Sequence, residues 1–187
     1  MRITGGKFKG RRLAALRGRR IRPSSDLIRQ VIFNLIGQDM TGFRVLDLFA
    51  GTGSLGIEAI SRGAVWAAFV DHARQSIALI EENLRLCGCR DCGIVLRKDL
   101  LRGLPSEAAG MEGPFDLVFM DPPYGKGMIP SLLEKLCRSG VLAPFPLVVA
   151  EALKGDDLPR TEGRLHLAKS RIHGETKIAI YSSGEDQ

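Results

Sequence analysis

The chain has 187 residues, a length that suits one domain with a small appendage. Its 44% hydrophobic and 26% charged residues are ordinary for a soluble globular protein, and its apolar runs fall far short of the ~20 residues a membrane helix needs. No apolar segment follows the basic start, so a signal peptide is not expected; the cytoplasm is the expected location and no membrane partner is implied. The formal charge of +6 is unevenly placed: residues 1–22 hold nine Lys and Arg and no acid, which leaves the remainder at −3. A cationic arm of this kind suits a polyanion, because each phosphate neutralised releases counterions; a solvated tail is the plainer alternative.

Within residues 1–22, Gly5, Gly6, Gly10 and Gly18 punctuate the basic residues. They fit a short hairpin, around Arg2–Thr4 and Arg12–Ala14, or a flexible arm. Pro23 closes the segment, Ser24 or Ser25 can cap a helix, and Asp26 falls in its first turn. Ile28, Val31, Ile32, Leu35 and Ile36 recur at helical spacing and predict a helix over roughly 25–38. From residue 44 strand and helix alternate. Strands are expected at 44–49, 67–71, 94–99, 115–121 and 146–151, with helices at about 54–62, 73–86 and 128–138. The stretch 100–114 reads as a short helix or loop. Two last β-runs, 164–172 and 177–182, are joined by HGET, short enough for a hairpin. Strands separated by helices imply crossover units and a mostly parallel α/β sheet, to which the hairpin adds an antiparallel strand. The expected boundary lies near residue 40, between a basic extension (1–40) and an α/β body (41–187).

In an open parallel sheet, ligands bind beyond the carboxyl ends of the strands. Polar residues collect there: Asp47 to Gly53 after the first strand, Asp71 after the second, Asp99 after the third, and Asp121-Pro122-Pro123-Tyr124 after the fourth. The first of these, DLFAGTGSLG, contains Gly51-x-Gly53-x-x-Gly56, with Asp71 twenty positions after Gly51. That spacing is the dinucleotide fingerprint. Asp47, however, stands at the strand end just before the glycines, where a pyrophosphate would meet an unfavourable charge and a cation a favourable one. S-adenosylmethionine carries a sulfonium and no phosphate, and Asp71 can bind ribose hydroxyls of either ligand. A tight strand-to-helix turn with packing duties alone is the bland alternative.

The DPPY stretch weighs most. The exocyclic amine of a base is a poor nucleophile, because its lone pair is delocalised into the ring. A carboxylate and a backbone carbonyl accepting its two N–H bonds would favour sp³ character and aim the lone pair at a methyl donor. Asp121 supplies the carboxylate, Pro122 a carbonyl in a turn stiffened by two prolines, and Tyr124 a face on which a base can stack, worth ~1–3 kcal/mol. Alignment and electrostatics then carry the reaction, with no metal. Asp99 is placed to accept from the cofactor's adenine amino group, or else to cap the turn that follows. The cysteines Cys87, Cys89 and Cys92 form C-x-C-x-x-C without a fourth neighbour at metal-binding spacing, and read as reduced thiols in a loop. His72, His166 and His173 have no paired acid or cysteine at informative spacing.

On these motifs the chain resembles the RsmD group of bacterial 16S ribosomal RNA guanine-N2 methyltransferases, nearly end to end. MRITGGKFKGRRL is similar to the group's basic Gly-Gly hairpin and G-R-x-L turn. IRPSSDLIRQVIFN resembles its Arg-Pro-Ser/Thr helix start, with Arg22, Pro23, Ser24, Ser25, Asp26, Arg29, Phe33 and Asn34 matching. DLFAGTGSLGIEAISRGA, VDHARQSIALIEENL and FDLVFMDPPYGKG resemble the cofactor loop, second strand with its helix, and catalytic strand end. Leu27 and Gln30 depart from the group's usual basic residue and Glu, and CGCRDC has no counterpart associated with it. The resemblance implies a Rossmann-like S-adenosylmethionine-dependent methyltransferase sheet whose last strand is antiparallel. It implies Asp121, Pro122 and Tyr124 as catalytic residues and Asp47, Phe49, Gly51, Thr52, Gly53, Asp71 and Asp99 as cofactor-binding ones. Arg2, Lys7, Lys9, Arg11, Arg12, Arg19, Arg20, Arg22 and Arg29 are the RNA-contact candidates. The implied partner is 16S ribosomal RNA in the small subunit or its assembly intermediates, acted on by a monomer.

Alternatives remain open. Adenine-N6 methyltransferases of RNA or DNA use a similar DPPY element, and only the full-length match, chiefly 1–34, favours guanine N2. An NAD oxidoreductase would need a hydride-transfer acid/base near the site, such as Tyr-x-x-x-Lys or a His–Asp pair, and neither is recognised there. A non-catalytic RNA-binding assembly factor would have no need for Asp121–Tyr124.

Overall fold

A computed structural model describes residues 1–15, 23–106, 110, 111, 113–123 and 127–184, with residues 23–25 described in backbone only. Eight strands form one sheet: β1 (Arg44–Leu48), β2 (Trp66–Asp71), β3 (Gly93–Arg97), β4 (Phe115–Met120), β5 (Leu142–Leu153), β6 (Thr161–Glu162), β7 (Leu165–His173) and β8 (Thr176–Ser182). Their order across the sheet is β3-β2-β1-β4-β5-β8-β7-β6. The first five strands are mutually parallel, and β8 inserts antiparallel between β5 and β7. This is a Rossmann-like, mostly parallel sheet whose final strand is antiparallel, as expected. The strand order reverses direction at β1 and β4, the place where such sheets open a ligand crevice.

The parallel strands are apolar on both faces because helices cover both. Their alternation divides the core. Val45, Phe69, Leu117, Phe119 and Val149 face α1 (Pro23–Ile36), α2 (Ser54–Ser61) and α3 (Arg74–Cys87). Leu46, Leu48, Val118, Met120 and Val148 face α4 (Met128–Ser139), which buries Ile129, Leu132, Leu133 and Leu136. Phe33 of α1 and Phe119 of β4 meet with ring centroids 5.9 Å apart. The helix begins at Pro23, so Ser24 and Ser25 lie within its first turn and neither is the cap that the sequence suggests. Proline suits a first helical position because the N–H it lacks would have no partner there.

Residues 1–15 form a small hairpin, with a β-bridge between Arg2 and Arg12 and a 3-10 turn at Gly6–Phe8. Its Ile3 and Leu13 belong to the same core cluster as α1, α2 and α3. The hairpin is fixed by a buried carboxylate the sequence did not single out. Glu58 of α2 is fully buried and accepts from the backbone N–H groups of Thr4 (2.8 Å) and Gly5 (2.7 Å), the Thr4 hydroxyl, and the guanidinium groups of Arg29 (3.0 Å) and Arg62 (2.8 Å). Gly6, at φ +71°, lies so close to the Ser61 carbonyl that a Cβ there would stand 1.8 Å from its oxygen. The Gly5-Gly6 pair is therefore a docking contact against the end of α2.

Candidate active site

The Gly loop begins where β1 ends. Phe49 sits at φ +58°, the one non-glycine residue with positive φ among those described, and Gly51 and Gly53 follow at +57° and +75°. A left-handed phenylalanine is strained, and strain of this kind collects at ligand-binding turns. Gly53 is the N-cap of α2. Gly56 serves packing: a Cβ there would meet the Phe69 ring at 2.4 Å, so this third glycine lets α2 lie against β2.

Four carboxylates line the strand ends on one sheet face. Asp47 is 2% exposed, and its Oδ2 accepts the Gly56 N–H at 2.9 Å. Burial pushes its carboxyl from 3.8 to about 8, against the Gly56 hydrogen bond, and Asp121 and Asp71 add to the rise. Among the described residues no cation pairs with it. Such a carboxyl is matched to a cationic ligand. Asp71 accepts the N–H groups of Gly51 (2.9 Å) and Ala73 (2.8 Å), which ties the Gly loop to the end of β2. His72, the next residue in the chain, places its Nδ1 3.6 Å from Asp71 Oδ1, so this histidine does have an acid beside it. Thr52 is held through its carbonyl, which accepts from Asn83 Nδ2 at 2.8 Å, while the same amide group bonds the backbone of Ala14. One buried asparagine thus joins the Gly loop to the hairpin's end. Asp99 Oδ1 accepts the Leu101 N–H at 3.1 Å and caps the 3-10 turn Leu100–Arg102, the structural role weighed for it from sequence.

Asp121 follows β4 directly. It can be reached by solvent but lies in a concave setting crowded by protein, and that desolvation pushes its carboxyl up from 3.8 to about 6. Pro122 is buried beside it. Tyr124 lies outside the described residues. The fourth carboxylate, Glu151 of β5, was missed as a site residue. Burial, then Asp121 and Asp47, hold its carboxyl well above the usual range, with Arg29 opposing. It carries the signal used for the others, an acid closing an apolar strand. Pro122, Pro123, Met128, Glu151, Asp156 and Leu158 border a pocket of about 160 Å³ over the ends of β4 and β5.

Of the RNA-contact candidates, Arg2, Lys7, Lys9, Arg11 and Arg12 are exposed on the hairpin. Arg11 also donates to the Leu86 carbonyl at 2.7 Å. Arg19, Arg20 and Arg22, with Arg17, lie outside the described residues. Arg29 is a correction: it is 2% exposed and committed to Glu58, Asp26 and the Arg2 carbonyl, because the helix turns it under the hairpin. It offers nothing to a phosphate. Cys87 and Cys89 are buried and Cys92 is half-buried; among the described residues no group of three or more ligating side chains is placed for a metal ion. Among the described residues, no helix is long and apolar enough to cross a membrane.

A family model described as "Conserved hypothetical protein 95" matches residues 1–182. The Bacillus subtilis protein YlbH, named as a candidate rRNA methyltransferase, is 39% identical over 181 residues, covering 97% of this chain and 98% of its own. The Escherichia coli K12 ribosomal RNA small subunit methyltransferase D is 28% identical over 181 residues, covering 97% and 89%. The solved Escherichia coli structure of yhhF, described as a candidate methyltransferase, superposes with TM-score 0.83 at 28% identity over 97% of both chains. A Salinibacter ruber RNA methyltransferase in complex with S-adenosyl-L-homocysteine shares the fold at TM-score 0.60 and 16% identity. With 182 residues matched to that model, and a relative at 39% identity along nearly its whole length, the chain belongs to the "Conserved hypothetical protein 95" family and to the RsmD group of ribosomal RNA methyltransferases.

Proposed function

We propose that the chain methylates the exocyclic N2 amine of a guanine in 16S ribosomal RNA, on small subunits or their assembly intermediates, with S-adenosylmethionine as donor. The observation that carries the reading is the carboxylate of Asp121, held at the end of β4 beside a strained Gly loop and a buried, cation-seeking Asp47. Asp47, Phe49, Gly51, Thr52, Gly53, Asp71 and Asp99 are the residues that would hold the cofactor. The chain fits it: the loop glycines leave room for close backbone approach, Asp71 offers carboxylate oxygens for hydroxyls, and Asp47, which keeps its proton up to about 8 in the empty site, can ionise to pair with a cationic group. Bound there, S-adenosylmethionine supplies an electrophilic methyl group.

The chain's own residues then prepare the amine. Asp121 accepts one N–H and the Pro122 carbonyl the other, which favours sp³ character at nitrogen and fixes the lone pair. Asp121 must be ionised to do so, and its carboxyl near 6 can take the proton that the amine sheds. Tyr124 stacks on the base. The exposed cations of the hairpin, together with Arg19, Arg20 and Arg22, hold flanking phosphates. The same Asp121-Pro122 turn would serve an adenine N6 amine, the second reading. The test is Asp121→Ala: methyl transfer is abolished while calorimetric binding of S-adenosylmethionine stays within a few-fold of the parent. Turnover within a few-fold of the parent would remove Asp121 from the chemistry.

A further inference from the structure

The hairpin β7–β8 carries charge in a pattern that the reaction chemistry does not use. Lys169, Arg171 and His173 occupy alternate positions of β7, so their side chains share one face. All three are exposed. The register fixes which face it is. Lys169 pairs with Ile180, which pairs with Val149; Arg171 pairs with Ile178, which pairs with Glu151. Directly paired residues point the same way, so the three basic residues lie on the face of Val149 and Glu151, the face that also carries Asp47 and Phe119. Two strand spacings separate Arg171 from Glu151, roughly 10 Å between backbones. Glu151 in turn neighbours Asp121.

Because β7 runs parallel to β5, the stripe rises toward the carboxyl ends of the strands, where the candidate site opens. Beyond Leu167 the outer edge of β7 has no strand partner among the described residues, since β6 pairs only with Leu165 and His166. Lys169 and Arg171 have no acidic partner among the described residues. The nearest acid at the hairpin tip, Glu175, is engaged by Lys154 at 2.6 Å. Charges on an edge strand also deter edge-to-edge pairing, but that duty has no preferred face. Here Ser170 and Ile172, on the opposite face, are uncharged.

We propose that this stripe is a second RNA-contact surface. It grips the backbone of the substrate strand on the β5 side of the target base, separate from the N-terminal arm. The occupant is RNA because the stripe is cationic, is exposed, and lies on the same sheet face as the site, running toward the strand ends where the base must enter. The inference rests on the chain's acting on RNA and not on which amine it methylates.

The test compares the parent with Lys169→Gln/Arg171→Gln, measuring binding to a 16S ribosomal RNA transcript by filter retention from about 50 to 200 mM salt. Both positions are exposed, so thermal unfolding and calorimetric S-adenosylmethionine affinity serve as controls and stay unchanged. The expected result is weaker binding and a log–log salt slope shallower by roughly 1.4, the loss of two single-strand phosphate contacts. An unchanged slope with affinity within two-fold of the parent overturns the proposal, as does a parent that fails to bind the transcript. The methylated base does not enter this readout. Adenine as the product base would overturn the guanine reading and leave the stripe standing; an unchanged slope with guanine methylated would do the reverse.

Discussion

Replacing Asp47 with asparagine should strengthen the ligand-free protein and weaken its grip on the cofactor. The folded chain holds the Asp47 proton up to about 8, whereas the ordinary carboxylate value is 3.8. Below the ordinary value both states are protonated and no difference arises. Between that value and 8, the folded state binds more protons than the unfolded one, so stability falls as pH rises. At ~1.36 kcal/mol per pH unit, this one group removes about 4 kcal/mol between pH 4 and pH 7. Asparagine keeps an oxygen for the Gly56 N–H and carries no proton to lose. Urea denaturation of ligand-free parent and Asp47→Asn at pH 5 and pH 7.5 should therefore show a smaller loss in the variant, with the variant the more stable at pH 7.5. Calorimetry should show S-adenosylmethionine binding weakened ten-fold or more, since a cation partner is gone. Identical pH dependence in the two proteins, or a variant less stable at neutral pH, would refute this account of Asp47.

Three further outcomes follow from the same geometry. Methyl transfer under saturating cofactor should rise with pH through about 6 as Asp121 ionises; a flat profile between pH 5 and 7 would exclude its carboxylate as the acceptor. Glu58→Gln leaves the buried Arg29 and Arg62 without their charged partner; a loss of about 3–5 kcal/mol is expected in urea denaturation, and a loss under 1 would mean the hub does not hold the hairpin. Gly56→Ala drives a Cβ to 2.4 Å from the Phe69 ring; a cost of about 1–3 kcal/mol should outweigh the ~1 kcal/mol gained in helix propensity, and a net gain in thermal stability would show that α2 can move away.

Much of the body was legible in the chain because its physics is local. Buried parallel strands read as apolar runs, and acids at their ends mark where burial stops, so β1, β2 and β4 with Asp47, Asp71 and Asp121 stood out. Glu151 carries the same signal but sits inside a strand that continues to Leu153, because β8 returns to pair with it; that extension depends on a partner more than twenty residues on. Arg29 misled for a similar reason. Its place beside Ile28 hinted at burial, but only the contact with Glu58, 29 positions away, makes a buried arginine tolerable. Gly5 and Gly6 read as turn residues, and their close approach to α2 exists only in the folded chain. The two-residue β6 leaves no periodicity to detect.

The central claim is tested most directly by transferring a labelled methyl group from S-adenosylmethionine onto small ribosomal subunits that lack the modification, then digesting the RNA to nucleosides. The account predicts label in N2-methylguanosine from 16S ribosomal RNA, absent with Asp121→Ala. Label in N6-methyladenosine would contradict the choice of base, and no RNA label from active, cofactor-bound protein would contradict the function.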